Sequence, residues 1–86
     1  PRPALVLTPA TYNKITSLAI CCPITSQKKG YPFEVDIPNG LKIKGVVLSD
    51  HVKSLDWRAR GAKLWGKLDE EAVEEVMAKL RPLLGL

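Results

Sequence analysis

Between Ile24 and Tyr31 the chain gathers two hydroxyls, a carboxamide and two ammonium groups, on Thr25, Ser26, Gln27, Lys28 and Lys29. An apolar run breaks at Pro23 just before them, and Tyr31, Phe33, Val35 and Ile37 resume in strict alternation just after. A polar loop held between strands is where binding and catalysis concentrate. A second polar break, Asp50-His51, and an early Arg2 complete the reactive set. One His and two adjacent Cys do not supply the three or four spaced ligands of a usual zinc site. No complete Gly-x-x-x-x-Gly-Lys-Ser/Thr run is present, since Leu68 follows Gly66-Lys67, which excludes a phosphate loop of that kind. His51, the one histidine, reads as a turn residue rather than a triad member. What remains is chemistry on a substrate that carries its own nucleophile, as RNA does in its 2′-hydroxyl. The protein must then hold the chain in line, stabilise charge on the phosphoryl oxygens and move protons at the 2′ and 5′ oxygens. An arginine fork suits the phosphate, and a threonine hydroxyl adds one more donor. Residue type alone does not decide for this chemistry.

The elements that must position these groups are short. Ala4 to Thr8 reads as a buried strand, Pro9 to Lys14 as one helical turn opened by proline, and Ile15 to Ile24 as a second strand. Tyr31 to Ile37 and Leu41 to Leu48 form a hairpin across Pro38-Asn39-Gly40, where Asn-Gly tolerates positive φ. Val52 to Trp57 is a further strand, Arg58 to Gly61 a basic turn, and Ala62 to Gly66 a last short strand anchored by Trp65. Asp69 is placed to cap a helix whose apolar stripe is Val73, Val76, Met77, Leu80 and Leu84, with Pro82 kinking or ending it. Strands followed by one C-terminal amphipathic helix predict a mainly β domain, a small, strongly bent antiparallel sheet or partial barrel with helices at its side.

At 86 residues this is one domain, 1–86, with a thin core that a partner chain would help to stabilise. Residues 1–68 carry 11 Lys+Arg against 4 Asp+Glu, whereas residues 69–86 carry 2 against 5. A basic body with an acidic tail suggests a polyanion, nucleic acid first. No apolar run is long enough to span a membrane, and the start carries no signal peptide. Cys21 and Cys22 are adjacent on a strand and point to opposite faces, so they read as reduced core or interface residues of a cytoplasmic protein.

Three stretches carry a more specific signal: Arg2-Pro-Ala-Leu-Val-Leu, Cys22-Pro-Ile-Thr-Ser-Gln-Lys-Lys-Gly-Tyr-Pro-Phe-Glu-Val35, and Gly45-Val-Val-Leu-Ser-Asp-His-Val-Lys-Ser-Leu-Asp-Trp-Arg-Ala-Arg60. In order and spacing they closely resemble the MazF/PemK family of toxins. The resemblance implies an SH3-like barrel with appended helices, working as a homodimer. It implies a metal-independent endoribonuclease that cleaves single-stranded RNA to a 2′,3′-cyclic phosphate, with no cofactor, and a MazE-like antitoxin whose tail blocks the RNA groove. Arg2 matches the family's catalytic arginine and Thr25 its catalytic threonine. Ser26, Gln27, Lys28 and Lys29 match the loop that covers RNA, and Asp50-His51 a base-contacting pair, with Lys53 a further expected RNA contact. His51 departs from the family's glutamine. Leu48 replaces the arginine of the Kid branch, which disfavours that branch's use of the aspartate as base. Arginine stays protonated near neutral pH, so the general base is left open. Relatives begin with another strand and a loop, of whose Gly-Ser-Glu-Gln-x-Gly-x-Arg-Pro run only Pro1-Arg2-Pro3 stands here. Without that segment one wall of the RNA groove would be missing. The alternatives are a barrel of the CcdB type that binds gyrase without cutting nucleic acid, and an inactive form that only dimerises and binds antitoxin.

Overall fold

The structure, a computed structural model, describes residues 2–86. Its elements run β1 (Ala4–Val6), α1 (Ala10–Thr16), β2 (Leu18–Thr25), β3 (Glu34–Asp36), β4 (Val46–Leu48), β5 (Lys53–Asp56) and α2 (Glu70–Leu83). All pairings are antiparallel, in the order β1-β2-β4-β3, with β5 also on β2. The expected mainly β fold with a C-terminal helix is borne out, as a bent, barrel-like sheet that stays open among the described residues.

β2 organises the sheet. On one side it pairs with β1 over Cys21–Pro23; on the other it meets β5 through Leu18–Cys21 and then β4 at Ile24 and Thr25. The change of partner falls at Cys22 and Pro23. The core lies on one face, where Cys22, Ile24, Val35, Ile37 and Val47 pack with Val76 of α2. Strand alternation puts Cys21 on the opposite face from Cys22, and both thiols are buried and free. Burial, with Cys21 and Asp50 nearby, pushes the Cys22 thiol up to about 11, so it stays protonated near neutral pH.

At the helices, physical detail refines the sequence reading. Asp69 caps α2 as expected, its carboxylate accepting from the Ala72 N–H at 3.0 Å. Val76 and Leu80 are buried with Ala72, but Leu84 lies beyond the helix end and is exposed. Pro82 is accommodated in the last turn, and the helix stops one residue later.

Four expectations are corrected. Ile15 belongs to α1 and is exposed, because Asn13 accepts from the Ser17 N–H and Ser17 turns the chain with φ +62° before β2 begins. Tyr31 is exposed and β3 starts only at Glu34, because the Tyr31 carbonyl accepts from the Glu34 N–H in a turn. Of the strand expected from Leu41, only Val46–Leu48 forms, since Gly45 takes φ +123° against the end of β2. Residues 62–66 form no strand, and Trp65 is exposed: the segment follows Gly61 and ends at Gly66, both at positive φ, and has no ladder partner among the described residues.

Candidate functional site

Thr25 ends β2, and the backbone around it fixes what can approach. β1 and β2 pair Ala4 with Pro23, and the Ile24 N–H donates to the Pro3 carbonyl at 3.1 Å. Continuing that register by one residue sets Arg2 opposite Thr25 in a pair without ladder hydrogen bonds. Such pairs bring side chains closest on one face. That face is the one opposite Cys22 and Ile24, away from the core. Arg2 is exposed and forms no ion pair among the described residues.

On the other flank Gly45 lies against the same strand end. A methyl group there would sit 2.8 Å from the Thr25 carbonyl carbon and 2.9 Å from Ser26 Cα. Only glycine fits that approach. Sequence reasoning passed over Gly45, although a lone glycine in a strand pattern is the usual mark of close backbone contact.

The loop after Thr25 is tied at both ends. The Gln27 N–H donates to Thr25 Oγ1 at 3.2 Å, which leaves the hydroxyl proton free to be donated outward. At the far end the Glu34 carboxylate accepts from the N–H groups of Lys29, at 3.0 Å, and Gly30, at 2.8 Å. These bonds from Lys29, with those from Gly30 and Tyr31, hold the Glu34 carboxyl below the usual carboxylate range. Glu34 was read only as the polar side of a strand; it is the template of the loop. Lys28 is less available than expected, because Nζ lies 2.8 Å from the Asp36 carboxylate. Lys29 has no such partner among the described residues.

A pH dependence follows, since a carboxyl lowered by folding stabilises above its unfolded pKa and loses that effect as pH falls through the folded one. The loop is expected to stay ordered at neutral pH and to loosen only in acid, below the ordinary carboxylate range. Glu34→Gln should loosen it at neutral pH as well. Amide exchange at Lys29, Gly30 and Tyr31 checks this; unchanged protection in the variant would remove Glu34 from that role.

Asp50 and His51 sit at the corner between β4 and β5. His51 Nε2 is 3.8 Å from Asp50 Oδ1, a loose and exposed contact. The corner itself is firmly held by Ser49, which is fully buried: its hydroxyl and N–H both donate to the Phe33 carbonyl, and its own carbonyl faces the Cys22 thiol. Lys53, opposite Cys21 on β5, shares the face of Thr25 but lies four residues back along β2, roughly 13 Å. The structure thus brings Arg2, Thr25 and the Ser26–Lys29 loop to one end of β2. It sets Lys53 and the Asp50–His51 corner along the other edge. A shallow groove of about 430 Å³ continues from this end between Lys28, Asp36, Asn39, Lys44 and Gly45. Among the described residues no three His, Cys, Asp or Glu side chains come together as a metal site.

A family model described as a PemK-like, MazF-like toxin of type II toxin–antitoxin systems matches residues 1–84. The chain belongs to the PemK/MazF toxin family. It is 48% identical over 84 residues to the endoribonuclease toxin MazF of Escherichia coli K12, covering 98% of this chain and 75% of that one. It is 33% identical over 88 residues to the endoribonuclease PemK of Escherichia coli, at 96% and 65% coverage. A solved MazE–MazF complex from Deinococcus radiodurans contains a chain that superposes with a TM-score of 0.96 at 53% identity, over 99% of this chain and 82% of that one. The toxin class and endoribonuclease type expected from the sequence are borne out. No helix of this PemK/MazF toxin is long and apolar enough to cross a membrane, among the described residues.

Proposed function

We propose that this PemK/MazF toxin cuts single-stranded RNA, mRNA included, at short sequences, without a metal or cofactor, and so arrests translation and growth. The observation that supports the reading is the register of β1 and β2, which, continued past the Ile24–Pro3 bond, aligns Arg2 with Thr25 at an open strand end. The 2′-oxygen of the substrate attacks phosphorus, the P–O5′ bond breaks, and a 2′,3′-cyclic phosphate and a free 5′-hydroxyl result. The 2′-hydroxyl proton leaves to a base, and a proton reaches the departing 5′-oxygen. Arg2, protonated throughout, stabilises the phosphoryl oxygens as charge builds on them, and Thr25 donates one further hydrogen bond. Ser26, Gln27 and Lys29, with Lys28 in a weaker share, steady the chain, while Asp50, His51 and Lys53 contact it farther along.

The protein acts in the cytoplasm as a single-domain subunit of a homodimer, and exposed Leu83, Leu84 and Leu86 at the C-terminal end support a partner surface there. The solved relative in complex with MazE supports a MazE-like antitoxin for this chain too. RNA and an acidic antitoxin tail then compete for one basic groove. In sedimentation, a two-protomer toxin should carry either RNA or antitoxin. Raising salt should release the RNA more steeply, because phosphate neutralisation frees counterions. Cleavage of a mixed single-stranded RNA should persist in EDTA and leave cyclic phosphate ends. Intact RNA, or RNA and antitoxin bound together, would count against this function or the shared groove respectively.

A further inference from the structure

Four consecutive residues, Tyr31 to Glu34, are tied to three separate parts of the molecule. The Tyr31 carbonyl accepts from the Glu34 N–H at 3.1 Å and closes the turn. The Phe33 carbonyl accepts from the N–H and the hydroxyl of Ser49, at the corner that carries Asp50 and His51. The Glu34 carboxylate holds the Lys29 and Gly30 N–H groups of the loop after Thr25. Between these ties, the Pro32 carbonyl accepts from Lys79 Nζ of α2 at 2.6 Å. The loop and the corner therefore share one short piece of backbone, and a side chain from the C-terminal helix grips it.

The Lys79 contact is not the default one for its position. Glu75 lies one turn earlier on α2, in the order that favours an i,i+4 ion pair. Yet Lys79 forms no ion pair among the described residues, and its ammonium goes across to Pro32 instead. The packing of its neighbours sets that reach. Val76 and Leu80 are buried, and Val76 lies in the core with Val35, two residues beyond Phe33. Lys79, on the same helix turn, is half-buried. A hydrogen bond from a charged donor is stronger than a neutral one, so this tie outweighs the turn's own.

We infer that Lys79 is a positioning residue for RNA cutting: from α2 it fixes the Tyr31–Glu34 turn, and through that turn the loop and the corner that hold the RNA. This rests on the RNA-cutting reading above and extends it to a helix that carries none of the proposed RNA-binding groups. Arg2 and Thr25 are set by the register of β1 and β2, outside the turn. Lys79 therefore acts on substrate binding and not on the chemical step.

The test uses the full chain with Lys79→Met, which keeps an apolar stem, and Lys79→Arg, which keeps a charged donor. Without RNA, amide exchange at Lys29 and Gly30 should quicken in Lys79→Met by more than at Val47 in the core, and Lys79→Arg should restore the protection. RNA whose reactive 2′-hydroxyl is replaced by hydrogen should bind Lys79→Met about three- to tenfold more weakly. The salt slope should not change, because the ammonium meets no phosphate. Single-turnover cleavage at saturating enzyme should keep the wild-type rate. In a Glu34→Gln background the same change should add little, since the link it works through is already cut. Unchanged exchange at Lys29 and Gly30 overturns the inference, as does an equal change at Val47, which makes Lys79 a general stabiliser. A salt slope lowered by about one overturns it too, by making Lys79 a phosphate contact. So does full additivity with Glu34→Gln. Wild-type protein that neither binds nor cuts the RNA overturns the RNA-cutting reading itself, an outcome seen without any variant and so distinct from the others.

Discussion

Arg2→Ala should cut RNA roughly 10²–10³ times more slowly while binding it nearly as well, the usual scale for removing one donor aimed at transition-state charge. The reason lies in the placement opposite Thr25, on the face of β2 turned away from the core. A guanidinium there can strengthen its hydrogen bonds as the phosphoryl oxygens gain charge, so its loss falls on the rate. Thr25→Ala should act in the same direction by less, because a neutral hydroxyl contributes less than a charged fork. Part of its effect will come through the Gln27 N–H, which loses its acceptor. Lys29→Ala should instead weaken binding and flatten the salt slope by about one, leaving the chemical step intact. Single-turnover cleavage at saturating enzyme, set beside titration of the uncleavable RNA, separates these cases. If Arg2→Ala cuts at the normal rate once saturated, Arg2 only anchors phosphate, and Asp50 and His51 become the residues to examine.

The second large effect is expected at Gly45, and it acts through the backbone, since glycine has no side chain to bring to a substrate. Gly45→Ala drives a methyl group into the Thr25 carbonyl and Ser26 Cα, backbone atoms that cannot step aside as a flexible side chain would. It also holds alanine at φ +123°, a strained conformation for any residue with a Cβ. A destabilisation of about 3–5 kcal/mol is the scale for such a combined clash and strain. Relief would come by moving β4 away from β2, which carries Thr25 out of line with Arg2. Urea unfolding measures the first consequence, and cleavage by the fraction still folded at low temperature measures the second. A variant with wild-type midpoint and wild-type cleavage would show that the strand end yields freely.

Sequence patterns that arise from local physics were legible. Alternation around Val35 and Ile37, the Pro38-Asn39-Gly40 turn, and an Asp before an amphipathic run each declare themselves in the chain. Arg2 and Thr25 were legible as candidates through their motifs, but their opposition depends on a register between segments some twenty residues apart. Contacts across the fold were not legible. Glu34 alternates like any surface strand residue, and nothing local says that its carboxylate gathers the N–H groups of Lys29 and Gly30. Ser49 reads as a polar break yet is fully buried, since its partner Phe33 is brought to it only by the β3–β4 pairing. Trp65 failed in the opposite sense. Hydrophobicity predicted an anchor, but residues 62–66 pair with no strand among the described residues and Trp65 is exposed.

The change of partner along β2 explains why the central strand of this sheet tolerates a proline. Residues 20, 22 and 24 direct their backbone groups toward β1, as the bonds of Ile20 and Ile24 show, so Pro23 faces the opposite edge. There β5 has ended at Cys21 and β4 begins only at Ile24, leaving no carbonyl that requires a donor from position 23. The missing N–H is placed at the one seam where the ladder does not call for it. That seam makes β2 the common spine of two ribbons, one carrying Lys53 and the other carrying Gly45 and the loop groove. On the proposed reading, the span an RNA strand covers between Lys53 and the loop groove is set along β2, across the change of partner at Cys22 and Pro23.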